Sequence, residues 1–232
     1  MAVAVLVVEA GLARRGEMLA GRALELDGLV DGGPGSVLDV VWLGDSTAAG
    51  VGASTSATAL PTQVAAGLGR PVDVTVLARS GATVGDVVDR QLPALAGLQP
   101  DIAFVSVGAN DVTHLTSRSD FERRYRRLLA ALPDSSEVVL LGVPDMGAIP
   151  RLAQPLRAVA GFRGRQLDDV VREVAGETGS AYVDIAGETG PALRRDPGRF
   201  FAADRYHPSG AGYELWAEAV LDVVTRSVML GQ

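Results

Sequence analysis

Three short motifs along this chain carry side chains that together could transfer an acyl group. Ser46 ends a Gly-Asp-Ser triplet that follows an apolar run, and Asn110 stands in a Gly-Ala-Asn-Asp stretch after another apolar run. Near the C-terminus, Asp204 stands three residues before His207. A hydroxyl nucleophile, an amide donor and a carboxylate–imidazole pair are the groups that acyl transfer through a serine ester requires. Each motif alone is a weak signal, but the ordered set predicts a serine hydrolase.

The candidate catalytic residues are Ser46 as nucleophile, His207 as general base and Asp204 as its partner. Histidine is the usual base for a serine nucleophile, and the chain has only two histidines. The three-residue spacing lets Asp204 reach Nδ1 of the His207 ring, fix its tautomer and support the imidazolium. Alternatively, Ser46 is an N-cap serine, and Asp204 and His207 only cap the following helix. His114 has no carboxylate at a comparable spacing, so we interpret it as a pocket-rim or surface residue.

Three donors are candidates for an oxyanion hole: the backbone N–H of Ser46, the backbone N–H of Gly81 and the side-chain amide of Asn110. Gly81 follows an apolar run, and without a side chain it could approach the oxyanion closely. A glycine after a strand is also common on other grounds. We expect Asp45 and Gly108 to support the site, because Asp45 precedes the nucleophile and Gly108 eases the turn that leads to Asn110. Removing one oxyanion donor typically costs about 2.7–4 kcal/mol of transition-state stabilisation.

Strand-like and helix-like segments alternate along the chain. Short, apolar and mostly β-branched runs predict strands that are covered on both faces, at Val37–Leu43, Val72–Leu77, Ile102–Val107, Val138–Val143 and Ala181–Ile185. Helical patterns separate them, at about Leu60–Leu68, Val84–Leu95, Asp120–Leu132, Leu156–Glu177 and Ser209–Val228. Ser119 is the predicted N-cap of the third helix. This order predicts an α/β fold with a mostly parallel five-stranded sheet, whose strand ends would collect Ser46, Gly81 and Asn110 in one crevice.

Composition limits the function classes. The 232 residues suit one domain with a full core, and 47% of them are hydrophobic. A net charge of −7 argues against a nucleic-acid partner, because phosphate binding needs a basic surface. The chain has no cysteine, which excludes disulfides and thiol catalysis, and no lysine, which excludes a lysine nucleophile or a P-loop lysine.

The first 35 residues are predicted to be separate from the domain at residues 36–232: a helical segment followed by a glycine-rich linker at Asp27–Ser36. The apolar run Ala2–Ala13 is shorter than the roughly 20 residues of a spanning helix and lacks the basic start of a signal peptide. It could be a helix on the domain surface, or a clipped or short segment that contacts a membrane peripherally through residues 2–13. A cytoplasmic or peripherally membrane-associated location is therefore favoured over secretion. The sequence predicts no oligomeric state.

From about Val37 to Met229 the chain resembles the SGNH hydrolases, the GDSL-type esterases and lipases. Gly44-Asp45-Ser46 matches the serine block and Gly81 the glycine block of that family. Gly108 to Asp111 matches Gly-x-Asn-Asp, and Asp204 with His207 matches Asp-x-x-His. Thr47 departs from the leucine in the family name. The resemblance implies a flavodoxin-like three-layer α/β/α fold and hydrolysis of acyl esters or thioesters without metal or cofactor. The implied substrates range from lipids and lysophospholipids to acetylated sugars.

Other interpretations fit less well or stay open. The Gly-x-Ser-x-Gly pentapeptide of the α/β-hydrolase fold is absent. A dinucleotide-binding fingerprint would begin at Gly50 and Gly52, but Thr55 occupies the third glycine position. A carbohydrate O-acetylesterase, an acyl-thioesterase or lysophospholipase, an acyltransferase and a non-catalytic binding module on the same fold remain alternatives. The apolar loop Val143–Pro150 and the few aromatic residues favour acyl chains over sugars as the recognised group.

Overall fold

A computed structural model describes residues 24–230 as three layers around a six-stranded sheet. The strand order is β1-β3-β2-β4-β5-β6, in which β1 pairs antiparallel and all other pairs are parallel. The strands are β1 (Gly28–Val30), β2 (Leu38–Gly44), β3 (Val72–Val76), β4 (Ile102–Ser106), β5 (Glu137–Leu141) and β6 (Ala181–Val183). The predicted α/β class and mostly parallel sheet are confirmed.

Helices cover both faces of the sheet. In the described part they are α1 (Leu60–Gly67), α2 (Val84–Asp86), α3 (Ala109–Thr113), α4 (Arg118–Leu129), α5 (Leu156–Thr178), α6 (Ile185–Arg195), α7 (Pro197–Phe200) and α8 (Gly210–Leu230). A π-helical turn (Val87–Gln91) and a 3₁₀ turn (Leu92–Leu95) extend α2. Between residues 24 and 230, no helix combines the length and apolar character needed to cross a membrane.

Two hydrophobic cores hold the layers together because successive strand residues point to opposite faces. Val41 and Leu43 of β2 face a core shared with α2, α4 and α5. Val40 and Trp42 face the other core, which α1 and α8 cover. Trp42 stacks on Phe104 of β4, its partner in the strand register, with ring centroids 4.4 Å apart. The last helix contributes one apolar stripe to this second core, with Tyr213, Trp216, Val220 and Val224 buried.

The sequence predicted five strands, but the described residues form six, and the additional one is the edge strand β1. β1 lies inside the segment predicted as a glycine-rich linker, and it pairs residue by residue with β3 from Gly28↔Val74 to Val30↔Val72. Asp27 extends this contact, since its Oδ1 accepts the Val76 N–H at 2.7 Å. The strand has only three residues and begins with Gly28 at φ +117°. Its sequence is therefore too short to show the alternation of apolar and polar residues that indicates a strand. The predicted helical segment and membrane contact at residues 2–13 lie outside the described residues, so both stay predictions.

Three helices had no counterpart among the predicted elements: α3, α6 and α7. They are short or contain glycine and proline, so their sequences show no sustained helical period. The predicted N-cap Ser119 was also wrong. Ser117 caps α4, and its Oγ accepts the Asp120 N–H at 3.1 Å. Two serines in one turn offer the same capping chemistry, and the structure uses the earlier one.

The order of the strands creates one crevice at their carboxyl ends. From β2 the chain passes to β3 on one side, and then returns to β4 on the other side of β2. The connections after β2 and β4 therefore diverge, and such a switch point is where open α/β sheets bind ligands. Ser46 follows β2 and Asn110 follows β4, so both residues lie beside this crevice.

Candidate active site

Ser46 lies in a tight turn immediately after β2 and is only 6% exposed. The buried Asp45 carboxylate organises this turn, because its Oδ1 accepts the Thr47 N–H at 3.0 Å and the Thr47 hydroxyl at 2.9 Å. Thr47 Oγ1 lies 2.8 Å from Ser106 Oγ at the end of β4. Burial raises the pKa of Asp45, although the hydrogen bonds from Thr47 oppose that shift. Thr47, which replaces the leucine of the family name, thus supplies a polar tie between the turn and the sheet.

His207 connects Ser46 to Asp204 through both ring nitrogens. Its Nε2 lies 3.0 Å from Ser46 Oγ, and its Nδ1 lies 2.6 Å from Asp204 Oδ2. The imidazole is 3% exposed and the carboxylate 1%. Burial by itself raises the pKa of Asp204, but hydrogen bonds from the His207 side chain and from backbone N–H groups outweigh it and hold this pKa below its usual value. The structure therefore brings the three predicted catalytic side chains into one hydrogen-bonded relay.

Backbone contacts join the two ends of the loop that carries Asp204 and His207. Phe201 and Pro208 form an antiparallel bridge, and the Ala202 N–H donates to the His207 carbonyl at 2.8 Å. Arg151, which the sequence did not single out, holds this loop from outside. Its backbone N–H donates to the Arg205 carbonyl at 3.0 Å, and its Nη1 lies 3.4 Å from the Asp204 carbonyl. An arginine between two loops has no local sequence signal that could have indicated this role.

The three predicted oxyanion donors each keep an N–H group without an acceptor. Among the described residues, the backbone N–H groups of Ser46 and Gly81 have no hydrogen-bond partner. The Asn110 side chain donates one N–H to the Ala82 carbonyl at 3.0 Å, and a primary amide has a second N–H to offer. Gly81 is exposed and has φ +83°, a conformation that favours glycine. The Asn110 amide is therefore held against the loop that carries Gly81.

Gly108 places Asn110 at the start of α3. Its φ is +138°, and a Cβ at this position would lie 2.7 Å from Val143 Cγ2. Both the conformation and the space therefore require glycine where β4 turns into α3. His114 ends the same helix on the surface, as predicted, with its Nδ1 2.7 Å from the Asn110 carbonyl.

A small apolar cavity adjoins the Ser46–His207 pair. Its volume is about 30 Å³, and on this scale one water needs roughly 10–15 Å³. Its lining residues are mostly apolar and include Ala109, Pro144, Met146, Ile149, Leu193 and Phe201. Part of this wall is the loop after β5, which the sequence indicated as an apolar segment. Among residues 24–230, no group of three or more histidine, aspartate or glutamate side chains is placed to hold a metal ion.

Another buried carboxylate, that of Asp111, ties the Asn110 turn to α2. Its Oδ2 accepts the Val84 N–H at 2.9 Å, and the residue is fully buried. Burial raises the pKa of Asp111 from 3.8 to about 6, and the hydrogen bond from Val84 offsets this shift only partly. Because the pKa is higher in the folded protein, this group contributes its full stability below about pH 4 and loses it as the pH rises through about 6.

Replacing Asp111 with asparagine is expected to flatten the pH dependence of stability. Asparagine can still accept the Val84 N–H but cannot ionise. Between pH 4 and 7 wild type is expected to lose about 2 kcal/mol more than Asp111→Asn, since one pKa unit corresponds to about 1.4 kcal/mol and part of the shift already acts at pH 4. Urea unfolding of both proteins at pH 4, 5, 6 and 7 measures this difference. The exposed Asp73→Asn is the matched control and should follow wild type; an Asp111→Asn curve parallel to wild type would contradict the assignment.

The sequence also matches known proteins. The model of the GDSL-like lipase/acylhydrolase family matches residues 42–215. A GDSL-like esterase of Mycobacterium tuberculosis is 33% identical over 196 residues, which cover 80% of this chain. The present chain spans 62% of the length of that relative.

Solved structures at lower identity share the fold. A lipolytic G-D-S-L family protein of Veillonella parvula superposes with a TM-score of 0.66 at 17% identity, covering 82% of this chain and all of that one. The acetylxylan esterase Axe2 of Geobacillus stearothermophilus has a TM-score of 0.62 at 24% identity, covering 84% of this chain and 96% of that one. Since the family model spans most of the chain, from β2 through Ser46, Asn110, Asp204 and His207 into α8, the chain belongs to the GDSL-like lipase/acylhydrolase family.

Proposed function

We propose that this protein is a serine esterase that hydrolyses carboxylic esters through an acyl-enzyme on Ser46. The observation that carries the proposal is the relay from Ser46 Oγ through His207 to Asp204, with distances of 3.0 and 2.6 Å. A serine that only capped a turn would have no need of a buried imidazole at hydrogen-bond distance. A non-catalytic binding module on this fold would have no need of the whole relay.

In the acylation step, Ser46 Oγ attacks the acyl carbonyl carbon while His207 Nε2 takes the hydroxyl proton. Asp204 keeps the His207 proton on Nδ1 and stabilises the imidazolium that forms. The carbonyl π electrons move to oxygen and give a tetrahedral oxyanion. When the oxyanion collapses, the bond to the alcohol oxygen breaks and His207 returns the proton to that leaving group. The products are the free alcohol and an acyl ester on Ser46.

The oxyanion is stabilised by the N–H groups of Ser46, Gly81 and the Asn110 side chain. In the described part of the chain, the Ser46 and Gly81 N–H groups and the second N–H of the Asn110 amide have no hydrogen-bond acceptor. No existing hydrogen bond therefore has to break when the negative charge develops on the carbonyl oxygen. In deacylation His207 takes a proton from water, the hydroxide attacks the acyl carbon, and Ser46 recovers its proton from His207. An acyltransferase would run the same steps with an alcohol in place of this water.

The cavity beside the relay supports short acyl groups as the substrate class. A volume of about 30 Å³ holds about two water-sized groups, which suits an acetyl or propionyl chain. The cavity cannot widen without a cost in packing energy, because its lining residues Met146, Ile149 and Leu193 are buried in the core that α2, α4 and α5 share. An O-acetylesterase is therefore the second candidate within the proposed chemistry, and it differs from the first only in the alcohol.

The test is the hydrolysis of p-nitrophenyl esters from acetate to palmitate. We expect kcat/KM to be highest for acetate or propionate and at least about tenfold lower for hexanoate, because forcing extra methylenes into a packed core costs about 1–3 kcal/mol. Leu193→Ala, which enlarges the cavity, should move the optimum to longer chains. Leu128→Ala removes the same atoms from the same core away from the cavity, and should leave the optimum unchanged. An optimum at octanoate or longer in wild type would rule out the short-acyl assignment.

A further inference from the structure

Gln91 carries a buried side-chain amide, and both of the hydrogen bonds that this amide makes in the described part of the chain join it to the backbone of Gly44. It is 2% exposed and lies at the end of the π-helical turn that extends α2. The Gly44 N–H donates to Gln91 Oε1 at 2.8 Å, and Gln91 Nε2 donates to the Gly44 carbonyl at 2.8 Å. Only this orientation of the amide satisfies both contacts, because the reverse would set donor against donor and acceptor against acceptor.

Gly44 is the residue at which β2 ends and the turn of Ser46 begins. Its φ is +142°, and a Cβ at this position would lie 1.9 Å from the Ser106 carbonyl oxygen. On the side of β4, the next peptide is fixed because the Asp45 N–H donates to the Ser106 carbonyl at 2.9 Å. From the π-helical turn that extends α2, Gln91 supplies both a donor and an acceptor to Gly44. The peptide that leads into the nucleophile turn is therefore held from both neighbouring segments.

The segment that ends at Gln91 begins at the loop of Gly81. The Arg79 N–H donates to the same Gly44 carbonyl at 3.1 Å, two residues before Gly81. Contacts at both ends of this segment, Arg79 and Gln91, therefore converge on Gly44. Ser46 and Gly81 provide the two backbone donors of the proposed oxyanion hole, and they belong to the two segments that meet at Gly44. The separation of these donors depends on how the two segments are joined.

We propose that Gln91 is a positioning residue. By binding both the N–H and the carbonyl of Gly44, it fixes the separation between the backbone N–H donors of Ser46 and Gly81. This proposal rests on the proposed serine mechanism. Gln91 is buried, and Val87 and Val88 of the same turn belong to the apolar core beneath the sheet, so a core role alone would be served as well by an apolar side chain of the same size. A π-helical turn is rare and is frequent at functional sites, and here it ends at the residue that reaches Gly44.

The test compares three variants by kcat per active site, counted by titration with a fluorophosphonate, on p-nitrophenyl acetate. Gln91→Met keeps the length but removes both contacts, and a loss of about 10- to 100-fold in kcat with little change in KM is expected, since misplacement by about 1 Å can cost 10²-fold. Gln91→Leu also removes both contacts, with a shorter apolar side chain. It should show a loss of kcat similar to that of Gln91→Met, about 10- to 100-fold.

Leu95→Ala is the matched control, because Leu95 is buried in the 3₁₀ turn that follows Gln91 and makes no polar contact to Gly44. It should lower the unfolding temperature while kcat per titrated site stays at the wild-type value. If Gln91→Met and Gln91→Leu also keep that value, or if one of them does so where the other does not fold, the positioning role is overturned. Failure of the serine mechanism itself would show differently, because wild type would then neither react with the fluorophosphonate nor turn over the ester.

Discussion

Ser46→Ala is expected to lower kcat for p-nitrophenyl acetate by at least about 10⁴-fold, which leaves only the residual effect of binding and of the oxyanion donors. The reason is chemical: without Oγ no acyl-enzyme forms, and His207 Nε2 loses the group that lies 3.0 Å from it. The substitution removes one atom from a buried position and leaves the Asp204–His207 contact in place. The folded structure is therefore expected to survive, and thermal unfolding beside the rate measurement tests this.

A matched serine substitution separates this chemistry from a general effect of alanine. Ser119 is exposed near the start of α4, far along the chain from the proposed relay, and Ser119→Ala should retain the wild-type rate. Turnover by Ser46→Ala within tenfold of wild type would place the nucleophile elsewhere.

Asn110→Ala is expected to lower kcat by about 10²–10³-fold, which corresponds to about 2.7–4 kcal/mol of lost transition-state stabilisation. The Asn110 amide has one N–H on the Ala82 carbonyl and a second available for the oxyanion. Because the negative charge exists only in the transition state and intermediate, KM should change much less than kcat. Steady-state kinetics on the acetate ester measure both constants.

Asn110 also helps to hold the Gly81 loop, and this structural part needs its own control. Thr83→Ala removes the N-cap of α2 in the same loop, where Thr83 Oγ1 accepts the Asp86 N–H, and touches no oxyanion donor. We expect Thr83→Ala to cost stability with a far smaller loss of kcat than Asn110→Ala. A result in which Asn110→Ala raises KM and spares kcat would make Asn110 a substrate-binding residue.

The parts of this molecule that sequence predicted well are those whose signal is local. Central parallel strands are buried on both faces, so β2, β4 and β5 appear as apolar runs. The spacing of Asp204 and His207 places both in one closed loop, so their contact needed no knowledge of the tertiary fold. Ser46 and Asn110 could be placed together because parallel strands end at the same edge of the sheet.

The parts that sequence missed depend on contacts between distant segments. The edge strand β1 exists because β3 offers it a free edge, and its own three residues do not indicate a strand. Gln91 lies 47 residues from Gly44, and a glutamine in a helical pattern is ordinarily taken for a solvent-facing residue. The cavity is set by how the loop after β5 packs against Leu193 and Phe201, and no pattern in that loop predicts a volume.

The central claim is that Ser46 is the residue that carries the acyl group, and chemical trapping tests it most directly. The wild-type protein would be treated with a fluorophosphonate, digested, and analysed by tandem mass spectrometry to find the modified residue. We expect one adduct per chain, on the peptide that contains Ser46, and no adduct on Ser46→Ala under the same conditions. An adduct on another residue, or an unmodified wild-type protein that still hydrolyses the acetate ester, would contradict the proposed mechanism.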